Sequence, residues 1–162
     1  MKNPKHQLVQ HGYWFQLNKL YFKELKKRIK KNEGFSIRPY KDQLGHLTIG
    51  YGHLILPHEK HLKTNKNSNA HLKEIFVQDF NLAVNDYKKF IKRKTYSKKD
   101  EELLIEMVFQ MGVNKVLKFK KLLSNMRKNN KHLVCFEMMN SLWYTQTPNR
   151  VKNLIKIFLN NE

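Results

Sequence analysis

The acids are few: 13 aspartates and glutamates against 32 lysines and arginines. Two of them stand close in sequence, Glu33 and Asp42, with eight residues between them, and Thr48 follows after five more. Two carboxylates held in different environments suit the hydrolysis of a glycosidic bond. One, protonated, gives its proton to the leaving oxygen; the other, ionised, orients water or stabilises the sugar cation. Glu33 sits where a helix should end, and the negative end of a helix dipole favours a protonated carboxyl. Asp42 sits in an open turn that leaves it ionised, and the hydroxyl of Thr48 could hold a water beside it. The same spacing also fits surface acids that merely balance neighbouring lysines, and spacing alone leaves both readings open.

The elements that must position these residues can be read from periodicity. Phe22, Leu25 and Ile29 recur on one helical face, with Lys23, Lys26, Lys27, Lys30 and Lys31 covering the rest. Gly34 suits the left-handed position after a helix, so this helix stops at Glu33. The period then falls to two: Leu47, Ile49 and Tyr51 alternate with Thr48, Gly50 and Gly52. Asp42-Gln43-Leu44-Gly45 supplies a turn, and Pro39 confines its strand to an edge, which predicts a small antiparallel sheet. Residues 57–69, polar and rich in Lys, Asn and His, read as a surface connection.

A long amphipathic helix follows, with Leu72, Ile75, Phe76, Phe80, Ala83, Val84, Tyr87 and Ile91 on one side. Beyond it the chain reads as helical throughout. Ser97 and Asp100 make a capping pair, and Gly112 ends that helix. Val116, Phe119, Leu122 and Leu123 mark a helix, and another runs from about Leu133 to Leu142. Thr147 caps the last, with Pro148 in its first turn.

The length suits one compact domain. Cys135 is the only cysteine, so no disulfide staples the chain, and its apolar neighbours predict a buried thiol. No apolar run is long enough for a membrane span, and no apolar segment follows the basic N-terminus as a cleavable signal would require. The formal charge of +19 attracts polyanions: nucleic acid, anionic lipid or the anionic polymers of bacterial envelopes. It is equally what solvated lysine from a lysine- and asparagine-rich genome would give. No nucleic-acid-binding motif is present, so specific nucleic-acid binding is not expected. His53 has no second ligand at zinc spacing, and neither a metal nor another cofactor is expected.

Two blocks carry a resemblance. The first is Asn32-Glu33-Gly34, Tyr40-Lys41-Asp42, Gly45 and Thr48-Ile49-Gly50-Tyr51-Gly52-His53-Leu54; the second is Met107-Val108-Phe109-Gln110-Met111-Gly112 with Trp143-Tyr144-Thr145-Gln146-Thr147-Pro148-Asn149-Arg150. In this order and spacing they resemble the phage lysozymes of glycoside hydrolase family 24, whose type member is the enzyme of T-even bacteriophages, over residues 23–162. The resemblance implies an α+β, mostly helical, two-lobed fold. Its parts would be a small lobe at about 34–70 with an antiparallel sheet, a linking helix at about 71–93 and a helical lobe at about 95–162. Residues 1–22 would be an N-terminal extension.

It further implies a muramidase cutting the β-1,4 bond between N-acetylmuramic acid and N-acetylglucosamine in peptidoglycan, with inversion. Glu33 matches the proton donor, Asp42 the second carboxylate and Thr48 the threonine beside the attacking water. Leu54, Phe109, Gln110, Trp143 and Arg150 match substrate-cleft positions. His53 and Asp79 match a structural ion pair. Such an enzyme, a monomer made in the bacterial cytoplasm without a signal peptide, would reach the wall through a holin-type pore, on a phage tail or by a bacterial secretion system, for host lysis or wall penetration. The chain departs from the family at Leu122 and Glu137, where the family has a serine and an asparagine, and the segment between Leu54 and Asp79 is shorter, which predicts a trimmed small-lobe helix. The alternative reading is a non-catalytic cationic envelope binder that keeps the fold.

Overall fold

The computed structural model describes residues 21–42, 45–64 and 66–160. The sequence expectations for residues 1–20 and for the centre of the Asp42–Gly45 turn lie outside them. Helix α1 spans Lys23–Glu33, and Gly34 closes it at φ +72°, its N–H donating to the Lys30 carbonyl. Strands β1 (Ser36–Lys41), β2 (Leu47–Gly50) and β3 (His53–Leu54) form an antiparallel sheet in the order β1-β2-β3. The Pro39 strand is therefore an edge, as its missing N–H requires. A 3-10 turn at Lys60–Lys63 stands where the trimmed segment was expected.

Helix α2 (Asn69–Asp86) begins at a Ser68 cap and unwinds into a π turn at Tyr87–Ile91. The remaining helices are α3 (Lys98–Met111), α4 (Val113–Val116), α5 (Lys120–Arg127), α6 (Lys131–Met139), α7 (Leu142–Gln146) and α8 (Pro148–Leu159). The result is an α+β fold dominated by helices. No helix among the described residues is long and apolar enough to cross a membrane.

Among the described residues the buried apolar side chains collect in two clusters, and α2 serves both. Its Leu72 and Ile75 pack with Ile49, Ile55 and Leu62 beside the sheet. Phe76, Phe80, Ala83 and Val84, further along, join the large cluster formed with α1, α3 and the later helices. Leu62, in the stretch read as a surface connection, is fully buried. A single apolar residue among polar ones has no periodicity to betray it. All eight apolar positions read on α2 and its π turn are buried, as is Cys135, whose thiol burial pushes up.

Three helix boundaries differ from the sequence reading. The helix read through Val116 and Leu123 is two, broken near Phe119, whose half-buried ring meets Trp143 edge-on with centroids 6.5 Å apart. The helix expected to run to Leu142 stops at Met139. Ser141 there donates to the Met138 carbonyl and accepts from the Tyr144 N–H, so one hydroxyl ends α6 and starts α7. Thr147 does precede α8, but its hydroxyl donates back to the Trp143 carbonyl and leaves α8 without a side-chain cap. By contrast Ser97 and Asp100 form the full reciprocal capping box.

The lysines of α1 are not uniformly solvated. Lys30 Nζ lies 5.0 Å from the Tyr51 ring centroid and 4.6 Å from that of Phe76, and Lys26 lies over Phe80. Burial, then the nearby Lys73, lowers the Lys30 pKa. These stems cover core aromatics while the charge faces a ring.

Candidate active site

Glu33 is the last residue of α1 and is largely buried, its side chain 19% exposed. Arg150, two residues into α8, reaches it across 117 positions of sequence: Nη1 donates to Glu33 Oε1 at 2.8 Å, and Nη2 donates to the Asn32 carbonyl at 2.7 Å. One planar guanidinium thus fixes both the carboxylate and the backbone that carries it, a geometry a point charge could not reproduce. The folded chain thus places a cation beside the negative end of the α1 dipole.

Gly52 supplies the opposite wall. Its φ is +85°, and a Cβ there would lie 3.3 Å from Glu33 Oε2. The glycine both permits the turn between β2 and β3 and clears the space beside the carboxylate.

The sheet register brings the next residues together. Tyr40 of β1 pairs with Thr48 of β2, which pairs with Leu54 of β3. Paired residues share a face, so these three form a row across the sheet. Ile49 and His53 form the neighbouring row on the other face, toward the small core and α2. Thr48 is buried and donates to the His46 carbonyl at 3.2 Å. The Asp42 carboxylate closes its own turn: Oδ1 accepts the His46 N–H at 2.8 Å, and Oδ2 lies 3.5 Å from His46 Nδ1. The Tyr40 hydroxyl has a raised pKa from burial, then from the charges of Glu33 and Asp42, so it feels both acids.

Beside this row lies an open groove of about 450 Å³, lined on one side by Gly52, His53 and Leu54 and on the other by Phe109 and Gln110 of α3. Leu54 lines this groove with its side chain exposed. Trp143 stands behind the groove: it is buried, and its indole N–H donates to Gln110 Oε1 at 2.8 Å, fixing which way the amide points. Of the eight residues singled out in the sequence, Leu54, Phe109 and Gln110 line the groove, Glu33 pairs with Arg150 against Gly52, Thr48 lies on the sheet with Asp42 in the turn after β1, and Trp143 supports Gln110 from the core.

His53 and Asp79 pair at 2.9 Å. Sequence reading missed the third member, Glu59, whose Oε2 lies 3.0 Å from His53 Nε2 and accepts the Leu56 N–H. With a carboxylate on each ring nitrogen the imidazolium form is favoured. Hydrogen bonding to Asp79 is the main cause, outweighing burial, and the His53 pKa is pushed up to about 9. Burial would raise Glu59, but the Leu56 N–H and His53 prevail and hold it below the usual carboxylate range. Also missed was Glu106, almost wholly buried against Arg28 and Asn32. A lone acid in an apolar helical face was the available signal.

Residues 30–156 match the family model for phage lysozyme, and the chain belongs to that family. It is 32% identical to a protein named probable T4-type lysozyme 2 of Dictyostelium discoideum, across 83% of this chain and 92% of the relative. It is 30% identical to probable T4-type lysozyme 1 of the same organism, over 82% and 92%. It is 28% identical to the pre-baseplate central spike protein Gp5 of Enterobacteria phage T4, over 81% of this chain but 27% of that protein. The chain is a lysozyme, a hydrolase acting on bacterial peptidoglycan.

Proposed function

We propose that this lysozyme cleaves the β-1,4 bond between N-acetylmuramic acid and N-acetylglucosamine with inversion, using Glu33 and Asp42 in distinct roles. Glu33 protonates the glycosidic oxygen as the bond breaks. Asp42, with the Thr48 hydroxyl, orients water on the opposite face of the ring, stabilises the cationic sugar and takes the water's proton as its oxygen bonds to the anomeric carbon. Leu54 and Phe109 carry the apolar faces of the saccharide, and the Gln110 amide, aimed by Trp143, takes a polar substituent. Arg150 holds Glu33 in place. The observation that carries this reading is the Arg150 clamp on Glu33 against Gly52, a residue that lines the groove. No cofactor enters the scheme.

The experiment is digestion of purified peptidoglycan by wild type and by Glu33→Gln. Loss of cleavage with an unchanged fold supports the reading, because an amide has no proton to give; clearing at near wild-type rate rejects it and favours a non-catalytic cationic binder. Product analysis tests the stereochemistry: inversion releases the α-anomer first, and a β-anomer would reassign Asp42 as a nucleophile.

In this reading residues 23–162 form the enzyme and residues 1–22 an appendage, and the chain acts as a monomer. Synthesis in a bacterial cytoplasm, release through a holin-type pore and action in host lysis or wall penetration complete the proposal. Fractionation of producing cells with and without a pore former tests the route: activity outside the membrane without the pore former would overturn it.

A further inference from the structure

Helix α3 buries every side chain from Leu103 to Val108, and one of the six is an acid. Glu106 is 2% exposed, which an unpaired carboxylate would not tolerate. Both of its oxygens are taken by α1: Arg28 Nε donates to Oε2 at 2.7 Å, and Asn32 Nδ2 donates to Oε1 at 2.9 Å. Arg28 also reaches Glu102 on the same face of α3, Nη1 to Oε2 at 3.5 Å. Asn32 directly precedes Glu33, and its carbonyl is the second acceptor for Arg150. A continuous chain therefore runs from Glu106 through Asn32 and Arg150 to the Glu33 carboxylate.

We propose that Glu106 is a positioning residue of this site, fixing the last turn of α1 through Asn32 and balancing the cations Arg28 and Arg150 beside Glu33. The proposal rests on the reading of Glu33 as proton donor.

The physical reason is the charge count in a poorly solvated place. Glu33 pairs with Arg150 of α8 and acts on Tyr40 of β1, which Asp42 also reaches; Arg28 and Asn32 of the same helix α1 meet Glu106 of α3, and Arg28 also meets Glu102. Burial raises the Glu106 pKa above the usual carboxylate range, and Arg28, Asn32 and Arg150 oppose that rise by favouring the ionised form. Neutralising Glu106 leaves two guanidinium groups without their buried counter-charge. Their excess field then pulls the proton from Glu33 at lower pH, and a proton donor that is ionised cannot act.

The test uses the full chain on soluble, uncross-linked glycan strands, with kcat and KM measured across pH, beside Glu33→Gln as the reference. Glu106→Gln keeps the shape and an acceptor for Asn32 but removes the charge. The expected result is an alkaline limb of kcat/KM moved down by about half a pH unit or more, with kcat at neutral pH reduced about three- to tenfold and KM little changed. Arg28→Met, which removes a cation instead, moves the limb upward. An unmoved limb in both variants, with activity lost only in step with thermal stability, would overturn the proposal and leave Glu106 a structural acid. Should Glu106→Gln not fold, the direction of shift in Arg28→Met decides alone. Full activity in Glu33→Gln would instead fail the underlying assignment.

Discussion

Gly52 shows how little room the site leaves around its acid. At φ +85° any side chain is strained, and a Cβ would press on Glu33 Oε2. Gly52→Ala is therefore expected to cost about 1–2 kcal/mol of stability and to lower kcat about tenfold or more with a smaller change in KM, checked by urea unfolding and by kinetics on soluble glycan. Equal loss in kcat/KM through KM alone would show that the contact with Glu33 is irrelevant. Arg150→Lys is the companion test. A lysine can reach the carboxylate or the Asn32 carbonyl but cannot bridge both with a planar fork. We expect a fall of about ten- to a hundredfold in kcat with little change in melting temperature; wild-type turnover would reject the clamp.

Between elements, the stitching of β3 to α2 and to the loop before the 3-10 turn depends on one charged imidazole. The folded His53 pKa, about 9, exceeds its ordinary value of 6.5, so its contribution to stability is full below about 6.5 and is lost as pH rises through about 9. Glu59 is shifted the other way, so its contribution is present above the ordinary carboxylate range and is lost on acidification. Thermal unfolding should thus show a stability plateau in weakly acidic solution and a decline of about 1–2 kcal/mol between about pH 6.5 and 9. His53→Asn should flatten that decline; a decline of unchanged size would assign it to other groups. The element scale also holds the main misreadings. The Thr147 hydroxyl is spent on a carbonyl of the preceding turn while that of Ser141 serves both neighbouring helices, and no sequence rule says which of two adjacent helix ends a serine or threonine will serve.

At the scale of the molecule, +19 acts at a distance. A cationic enzyme is drawn to an anionic envelope by a field that salt screens, whereas the chemistry of a short neutral chitooligosaccharide takes place inside the cleft. Lysis of whole cells is expected to fall steeply from low salt to about 0.5 M, where the Debye length is about 4 Å, while cleavage of the short substrate changes much less. Parallel salt dependence for the two substrates would refute a role for charge on approach. Deleting residues 1–20 asks what the aromatic, basic extension does. Lower melting temperature with unchanged salt dependence indicates packing, and weaker envelope binding at unchanged stability indicates a tether.

Local patterns determined much of this protein. The end of α1 at Glu33-Gly34, the edge strand with Pro39, the eight buried positions from Leu72 to Ile91 and the Ser97 capping box were legible because each depends on neighbours within a few residues. The motif positions were legible because their residue types and spacing recur in a family. What tertiary structure alone decided are the partners across long intervals. Arg150 reaches Glu33 over 117 positions, Arg28 finds Glu106 over 78, and Glu59 completes the His53 cluster. A charge in sequence carries no record of the opposite charge that folding brings to it. Burial sets the strength of that pairing, and burial exists only once the helices have packed.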